Sequence, residues 1–346
     1  MFARPDVPPS ASRAVPDASS CGVNLAATRD VDEQAALLSG WNQSYAQLSA
    51  GPFEGRIEEA WLDGVHLFIE STSRRLMQRG ELAPGRLALG LPLALGEGQA
   101  VFCGASDWQA GEPSTGAGRY CTFSGADGFE FFTPEGLVMA GLELDRDELA
   151  GLATASEQAL IEQIGQRASL HHAPAAGVAG LKAFMQGAFE MLHAQPALLG
   201  NSAVRGMLRQ AALSNALEAL VSAAADSVDV SPQRQWKLVA QARERVQQDP
   251  ETPMTVAMLC QALQVSRRTL QSAFQEVLGM PPAAFLRAVR LAGARRALRT
   301  APTVTEAAAQ WGFWHFSHFA QDFRRMFGEL PSQAWRRMRQ DRPPGH

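Results

Sequence analysis

Two stretches near the C-terminal end of the 346-residue chain repeat one arrangement of polar and apolar side chains. The spacing of the first predicts a helix over Arg267–Leu278. A step of about 100° per residue places Leu270, Phe274 and Val277 on one side of this helix. The opposite side carries groups that can hydrogen-bond to base edges and phosphates, namely Arg268, Gln271, Ser272 and Gln275. We therefore predict that these four residues contact nucleic acid.

The same arrangement returns further along the chain, in a helix predicted over His315–Phe327. Phe319, Phe323 and Met326 form its inward stripe. The outward side carries Ser317, Ala320, Gln321 and Arg324. A side that is merely solvated has no reason to recur, so the repetition favours a binding role. Arg324 lies at the helix edge, where a charged side chain meets the phosphate backbone before the bases, and is predicted as a phosphate contact.

Each of these helices follows a shorter apolar helix and a tight connection. In the first unit the shorter helix is predicted over Thr255–Leu263, and Ser266 is placed to cap the helix that follows. In the second unit it is predicted over Val304–Gln310, with Gly312 in the connection because glycine tolerates a positive φ. The pattern is typical of two helix-turn-helix units, which place their second helix in the major groove of double-stranded DNA.

A longer helix predicted over Pro282–Arg299 separates the two units. Two helices that read successive major grooves on one face of B-DNA must lie about 34 Å apart, which gives a rigid spacer a geometric reason. Arg290 is left out of the predicted contacts, because a structural pairing with a carboxylate such as Glu306 is equally consistent with the sequence. Helices over Pro232–Gln248 and Pro331–Arg339 complete an all-α domain of seven helices.

Charge is distributed unevenly along the chain. The formal net charge is −4, but residues 231–346 carry a net charge of +9 and residues 1–230 a net charge of −13. Basic side chains that neutralise phosphates release counterions, which supplies most of the sequence-independent affinity for DNA. The composition therefore favours a polyanionic partner for the C-terminal domain, predicted over residues 232–340.

The upstream sequence predicts three further regions. Residues 1–30 are rich in Pro and Ser and are predicted as a disordered tail. Residues 31–150 contain short apolar runs broken by Gly and Pro, which predict an antiparallel sandwich or barrel of about eight strands. Residues 151–228 are predicted to be helical, over Ser156–Ala168, Val178–Gln195 and Ala203–Ala224, and to form a dimerisation region. The predicted fold class is an α+β multidomain protein.

Further residues stand in register around the two predicted units. They are Ser266-x-x-x-Leu270-x-x-x-Phe274, Gly279-x-Pro281, Arg290-Leu291-x-x-Ala294-x-x-x-Leu298, Ala308-x-x-x-Gly312-Phe313, and Phe319-x-x-x-Phe323-Arg324-x-x-Phe327-Gly328-x-x-Pro331-Ser332. Over about Lys237–Arg337 the sequence resembles the AraC/XylS-type transcriptional regulators. The resemblance implies base contacts from Arg268, Gln271 and Ser272 and from Ser317, Ala320 and Gln321. The chain departs from the family at Trp314-His315, where a small hydroxyl residue is more usual.

The upstream half is similar to the sensor halves of regulators of the ethanolamine-operon type. The residues that carry this likeness are Gly51-Pro-Phe-x-Gly55, Glu70-Ser-Thr72, Gln78-x-Gly80 and Leu91-Pro92. The likeness implies a cupin-like β-sandwich followed by helices that pair subunits. The likeness predicts the architecture and does not identify the effector.

Few residues indicate chemistry in the upstream half. His66 stands alone on a predicted strand without the paired histidines of a metal-binding cupin, so a histidine held by hydrogen bonds is favoured over a metal ligand. The four cysteines, Cys21, Cys103, Cys121 and Cys260, lie far apart and lack zinc-ligand spacing. Neither a nucleophile elbow nor a phosphate-binding loop is found. We predict no cofactor, no metal and no catalytic residue.

These observations favour a cytoplasmic regulator of transcription initiation, possessing no membrane span, that binds promoter DNA and acts on RNA polymerase as an activator or repressor. An unknown small molecule is the expected effector of the acidic sensor, and a homodimer is the expected assembly. The alternative is a cupin-type enzyme or metal-binding barrel tethered to DNA. A role in binding RNA or shaping chromatin is disfavoured, because two spaced helix-turn-helix units suit B-form major grooves.

Overall fold

Two antiparallel sheets and two groups of helices build the part of the chain that the computed structural model describes, which is residues 23–108, 118–124, 128–173, 175–226, 228–229, 235–248 and 254–340. The strands are β1 Val23–Thr28, β2 Asn42–Gln47, β3 Gly55–Leu62, β4 Val65–Thr72, β5 Leu76–Glu81, β6 Arg86–Ala94, β7 Ala100–Phe102, β8 Ala105–Trp108, β9 Gly118–Ser124, β10 Phe129–Thr133, β11 Leu137–Asp145, β12 Ser169–Ala173 and β13 Val228–Asp229. The larger sheet has the order β1-β3-β4-β11-β6-β9-β12-β13 and the smaller one β2-β5-β10-β7-β8.

Turn residues and buried aromatic side chains explain this sandwich. β3 and β4 are joined by Asp63 and Gly64, both with positive φ, and Leu62 pairs with Val65 across the turn. An Asp-Gly pair is the usual two-residue connection of such a hairpin. The aromatic rings of the smaller sheet and of its partner meet between the layers, where Trp41, Phe68, Phe102, Phe123, Phe129 and Phe131 are buried.

The helices lie outside the sandwich and after it. They are α1 Val31–Leu37, α2 Arg146–Gly151, α3 Ala155–Ile164, α4 Ala175–Ala194, α5 Ser202–Asp226, α6 Trp236–Gln248, α7 Val256–Ala262, α8 Arg267–Leu278, α9 Pro282–Ala297, α10 Val304–Gln310, α11 Phe316–Phe327 and α12 Pro331–Gln340. A short 3-10 helix, Pro196–Gly200, joins α4 to α5. Helices α6 to α12 are the seven predicted for the C-terminal domain. No helix in the described ranges combines the length and the apolarity needed to cross a membrane.

Helices α4 and α5 cover the outer face of the larger sheet. Leu181 and Met185 of α4 are buried in one core with Leu67, Leu89 and Leu142 of the strands. The apolar stripe of α4, which predicts an amphipathic helix, is therefore buried against the larger sheet of the same chain. The pairing of subunits through this region stays a prediction.

The predicted antiparallel β-sandwich followed by an all-α domain is confirmed, with two corrections at the boundaries. The predicted tail of residues 1–30 is wrong at its end, because β1 pairs with β3, Ala26 opposite Ile57; residues 1–22 lie outside the described residues. Residues 151–228 are not wholly helical, because β12 pairs with β9 and extends the sheet. The Ser- and Asp-containing stretch over residues 226–232, whose composition predicts a linker before the C-terminal domain, lies mostly outside the described residues.

Candidate nucleic-acid interface

The first helix-turn-helix unit consists of α7 and α8. Thr255 caps α7 by accepting the backbone N–H of Met258, and Ser266 caps α8 by accepting that of Thr269 at 3.0 Å. Between the helices Gln264 has a φ of +52°, a left-handed conformation that reverses the chain in few residues. The predicted connection and the predicted cap at Ser266 are thus both present.

One face of α8 is buried and the other is exposed. Leu270, Ala273, Phe274 and Val277 are 0% exposed and pack against α6 and α9 in one core. The predicted contacts, Arg268, Gln271, Ser272 and Gln275, are all exposed on the other side. The helix therefore presents to solvent four side chains that can donate to or accept from base edges and phosphates.

The second unit, α10 and α11, repeats this arrangement. Phe319 and Phe323 are buried, Met326 is half-buried, and Phe327 completes the inward stripe. Ser317, Gln321 and Arg324 are exposed and Ala320 is half-buried, so the predicted outward face is again the solvent face. Gly312 has a φ of +70° in the connection, as its position in the sequence predicts. His315 occupies the N-cap of α11 without a side-chain hydrogen bond to the helix.

Helix α9 holds the turn of the second unit. Arg290 donates from Nε to the carbonyl oxygen of Trp311 at 2.9 Å and from Nη2 to that of Gly312, and its guanidinium lies over the Phe313 ring. Arg290 is thus a structural arginine that binds backbone carbonyls instead of Glu306. Gly293 of α9 also belongs to this contact, because a Cβ there would lie 2.3 Å from the indole of Trp311.

Sequence reasoning missed a second arginine of α9. Arg295 is 2% exposed and lies between Asp30 and Asp32, with Nη2 2.8 Å from Asp30 Oδ2 and Nη1 2.9 Å from Asp32 Oδ2. Arg299 and Arg337 also reach Asp30. These five residues, which we name the interdomain ion cluster, join the sandwich to the helical domain. Burial by itself raises the pKa of Asp30, but the charges of Arg295 and Arg299, together with the hydrogen bonds from Arg295 and from the backbone of Asp32, outweigh it and hold that pKa well below its usual range.

Further contacts extend this interdomain surface. Arg75 of the sandwich donates to the carbonyl oxygen of Leu278, and Gln47 donates to that of Met326 at 2.7 Å. Arg243 of α6 forms an ion pair with Glu130 of β10. Because each contact lies away from the outward faces of α8 and α11, the sandwich leaves both faces exposed.

The other residues of the sandwich that were considered for chemistry, His66 and the cysteines, have surroundings that indicate a structural role. His66 is buried with Nδ1 3.3 Å from Glu143 Oε2 and Nε2 3.1 Å from Glu59 Oε1. Burial raises the pKa of the Cys103 thiol to about 11 and that of Cys121 well above its usual value, which disfavours a reactive thiolate. Within the described ranges no cluster of His, Cys, Asp or Glu is arranged to hold a metal ion.

The fold and the two exposed faces define a helix-turn-helix DNA-binding domain. The family model described as a helix-turn-helix domain matches residues 259–337. A solved structure described as a probable AraC family transcriptional regulator from Rhodopseudomonas palustris CGA009 is similar to this chain with 38% identity; the match covers 31% of this chain and 99% of that one, with a TM-score of 0.28. Residues 259–337 of this chain therefore form a helix-turn-helix domain of the AraC type.

Curated relatives match about as much of the chain. The probable thc operon regulatory protein of Rhodococcus erythropolis is 37% identical over 103 residues, which is 29% of this chain and 31% of the relative. The XylDLEGF operon transcriptional activator of Pseudomonas putida is 27% identical over 100 residues, 28% of this chain and 31% of the relative. The chain thus matches about a third of the length of these relatives.

Proposed function

We propose that this protein is a sequence-specific DNA-binding transcription factor that regulates transcription initiation in the cytoplasm. The observation that carries the proposal is the repetition of one exposed polar face on two recognition helices, α8 and α11. Arg268 and Gln271 on the first face are residue types that make bidentate contacts to guanine and adenine, and Gln321 offers the same amide on the second. No catalytic step is needed for this role.

Electrostatics support promoter DNA as the partner. The exposed faces lie in the part of the chain with a net charge of +9, while several arginines that point away from them are neutralised by acidic residues of the sandwich. The positive charge that remains accessible is therefore concentrated on the helical domain. Contact with RNA polymerase, by recruitment or by blocking, would follow from binding beside the promoter, and the relatives that are named activators favour recruitment.

The sandwich is proposed to sense a small-molecule effector. It packs directly on the helical domain through the interdomain ion cluster, so a change between the sheets can alter the orientation of α9, which connects the two units. A homodimer is proposed as the assembly, with α4 and α5 as its first candidate surface. Sedimentation equilibrium of the full chain tests the dimer.

The first experiment selects binding sites from a random duplex pool with the full-length protein and with Arg268→Ala and Gln321→Ala. We expect one motif with two clusters about one helical turn apart, and each variant is expected to lose its own cluster. Arg245→Ala and Gln241→Ala, exposed residues of α6, are matched controls that are expected to leave the motif unchanged. If no motif is enriched with or without cell extract as an effector source, or if both reader variants retain the full motif, the proposal is wrong.

A further inference from the structure

Two aromatic side chains at the start of α11 are exposed to solvent. Trp314 is 66% exposed and Phe316 is 42% exposed. The other large hydrophobic residues of the described ranges that reach solvent to this extent are aliphatic, namely Leu25, Leu152, Met207, Met258 and Leu330. Apolar surface that is grouped in solvent marks a place where another molecule binds. The start of α11 is therefore a candidate for an apolar contact.

The turns of the two helix-turn-helix units begin in the same way. The second residue after the shorter helix has a positive φ in each, Gln264 in the first unit and Gly312 in the second. The next residue, Val265 or Phe313, donates its backbone N–H to the carbonyl oxygen five positions earlier, at 3.0 Å in both units. Such a bond closes a helix end with a left-handed residue. The two turns are therefore equivalent as far as Val265 and Phe313.

After this point the second connection contains one additional residue. It spans residues 311–315, whereas the first spans residues 263–266. Ser266, the cap of α8, follows Val265 directly. In the second unit Trp314 stands between Phe313 and the N-cap residue His315. Trp314 is thus the additional residue, and the inward positions of the turn are already filled without it.

The neighbours of Trp314 explain why its indole faces solvent. The Phe313 ring contacts the buried Phe319, with 5.0 Å between the ring centroids. On its other side it is covered by Arg290, whose guanidinium carbon lies 4.5 Å from the ring centroid. Phe313 therefore occupies the apolar position at this turn, and Trp314, which follows it, is left on the outer side.

Phe316 extends the outward face of α11. It is the first residue of the helix and lies one turn before Ala320, at the edge of the face that carries Ser317 and Gln321. The N-terminal residues of a recognition helix are those that meet base edges in the major groove. The two aromatic residues are thus continuous with the proposed DNA interface and lie at the end of the helix that would enter the groove.

The chemistry of the major groove selects a partner for these rings. The edges of the bases carry hydrogen-bonding groups and one large apolar group, the C5-methyl of thymine. Uncharged rings do not neutralise phosphates, whereas they can bury a methyl group. The carboxylate of Asp322, further along α11, is paired with Arg287 at 2.8 Å, so its charge is balanced where DNA would approach.

We infer that Trp314 and Phe316 determine specificity by contacting the C5-methyl groups of thymine in the half of the binding site that α11 occupies. The first unit then selects bases by hydrogen bonds from Arg268 and Gln271, and the second selects A·T pairs by apolar contact. The inference rests on the proposed function, because it names the bases that this DNA-binding protein selects with its second recognition helix.

The test replaces thymine by deoxyuridine, one position at a time, in the motif selected by the full-length protein. Deoxyuridine keeps the hydrogen-bonding groups of thymine and lacks the methyl group. At one or two positions of the cluster that Gln321→Ala loses, we expect the wild type to bind about fourfold more weakly, the effect of one unburied methyl group. Trp314→Ser and Phe316→Gln are each expected to bind the thymine motif more weakly and to lose the preference for thymine at one of these positions.

Three controls separate this contact from other effects. Leu152→Ser removes an exposed apolar side chain at the end of α2 and is expected to keep the wild-type preference for thymine. Deoxyuridine in the other cluster should affect the wild type, Trp314→Ser and Phe316→Gln equally. Trp314→Ser should leave the slope of log K against log salt unchanged, because an indole neutralises no phosphate. Thermal unfolding of each variant checks the fold, and Trp314→Ser by itself serves if Phe316→Gln is unfolded.

The result distinguishes this inference from the proposed function. The inference is wrong if the second cluster contains no thymine, if deoxyuridine there costs the wild type less than about twofold in affinity, or if both variants keep the wild-type preference. A protein that enriches a motif and gives one of these results contradicts the aromatic contact alone. Unchanged DNA affinity in both variants would assign the rings to a protein partner instead. A protein that enriches no motif contradicts the proposed function and this inference with it.

Discussion

Arg295 of α9 and Asp30 at the start of α1 form a buried ion pair, with Nη2 2.8 Å from Oδ2, that joins the helical domain to the sandwich. Both side chains are almost fully buried, and Asp32 accepts a hydrogen bond from Nη1, the other terminal nitrogen of the guanidinium. Removing one partner of a buried pair leaves an uncompensated charge, whereas removing both leaves none. The stability of the contact between the two domains therefore depends on both partners of the pair.

We expect Arg295→Met to lower the free energy of unfolding by about 3–5 kcal/mol, measured by urea denaturation. Asp30→Asn combined with Arg295→Met should recover part of this loss, because the fully buried carboxylate is then replaced by a neutral amide and only the half-buried Asp32 has lost its partner. Arg287→Ala is the control, since Arg287 pairs with Asp322 at an exposed site and should cost less than about 1 kcal/mol. A cost for Arg295→Met as small as that for Arg287→Ala would contradict the structural role of the cluster.

The two arginines of the predicted interface should behave differently on DNA. Arg268→Ala is expected to cost about 1–3 kcal/mol on the selected motif and to relax the preference at one base pair, because it removes the proposed base contact. Arg324→Ala should weaken binding to motif and random DNA alike and reduce the slope of log K against log salt by about one. Titrations at several salt concentrations measure both effects. If Arg268→Ala loses as much affinity for random DNA as for the motif, Arg268 does not contact a base.

His66 predicts a dependence of stability on pH. Burial by itself lowers the pKa of His66, but the adjoining Glu143 and Glu59 carboxylates outweigh it and raise the pKa above its usual value. Since the folded pKa exceeds the unfolded one, the stabilisation is complete below about pH 6.5 and is lost as pH rises through the folded pKa, by up to about 1.4 kcal/mol per unit.

Urea denaturation between pH 5.5 and 9 measures this loss as the difference between the wild type and His66→Gln. His318→Gln, an exposed histidine of α11, is the control and should follow the wild type. The other groups around His66 are Arg86, which pairs with Glu143, and the stacked Trp61 ring. A difference between wild type and His66→Gln that grows with pH would contradict the assignment.

Two helical glycines should respond oppositely to alanine. Gly293→Ala places a Cβ 2.3 Å from the Trp311 indole, so we expect it to destabilise the second helix-turn-helix unit by about 1–3 kcal/mol. Gly187 of α4 has open space around the position of a Cβ. Gly187→Ala should therefore stabilise the protein by about 0.5–1 kcal/mol through helix propensity. Differential scanning calorimetry of both variants compares the signs.

The caps of the two recognition helices differ, and this difference is measurable. Ser266→Ala removes the acceptor for the N–H of Thr269 and should cost about 0.5–2 kcal/mol. His315 makes no such bond, so His315→Ala should be nearly neutral, and His315→Ser should stabilise α11 by supplying a hydroxyl acceptor. Chemical denaturation measures the stabilities of the three variants. If His315→Ala costs as much as Ser266→Ala, His315 caps α11 after all and the prediction is wrong.

Local pattern determined much of this protein. The inward stripe of Leu270, Phe274 and Val277, the cap at Ser266 and the positive φ at Gly312 follow from periodicity and turn chemistry, which act over a few residues. The exposure of the predicted reader residues follows from the same geometry, because a helix that buries one stripe must present the opposite one to solvent.

Tertiary structure alone decided the rest. Arg295 and Asp30 are separated by 265 positions, and an arginine among several on one helix gives no local signal that it is the buried one. Residues 23–28 are a strand because β3 offers an unpaired edge, which composition cannot reveal. Glu70 looks like an ordinary strand residue, and only the packing of two sheets buries its carboxylate, which accepts a hydrogen bond from Tyr45. Such long-range burial depends on which surfaces meet, and that is set by the whole chain and not by any short stretch of it.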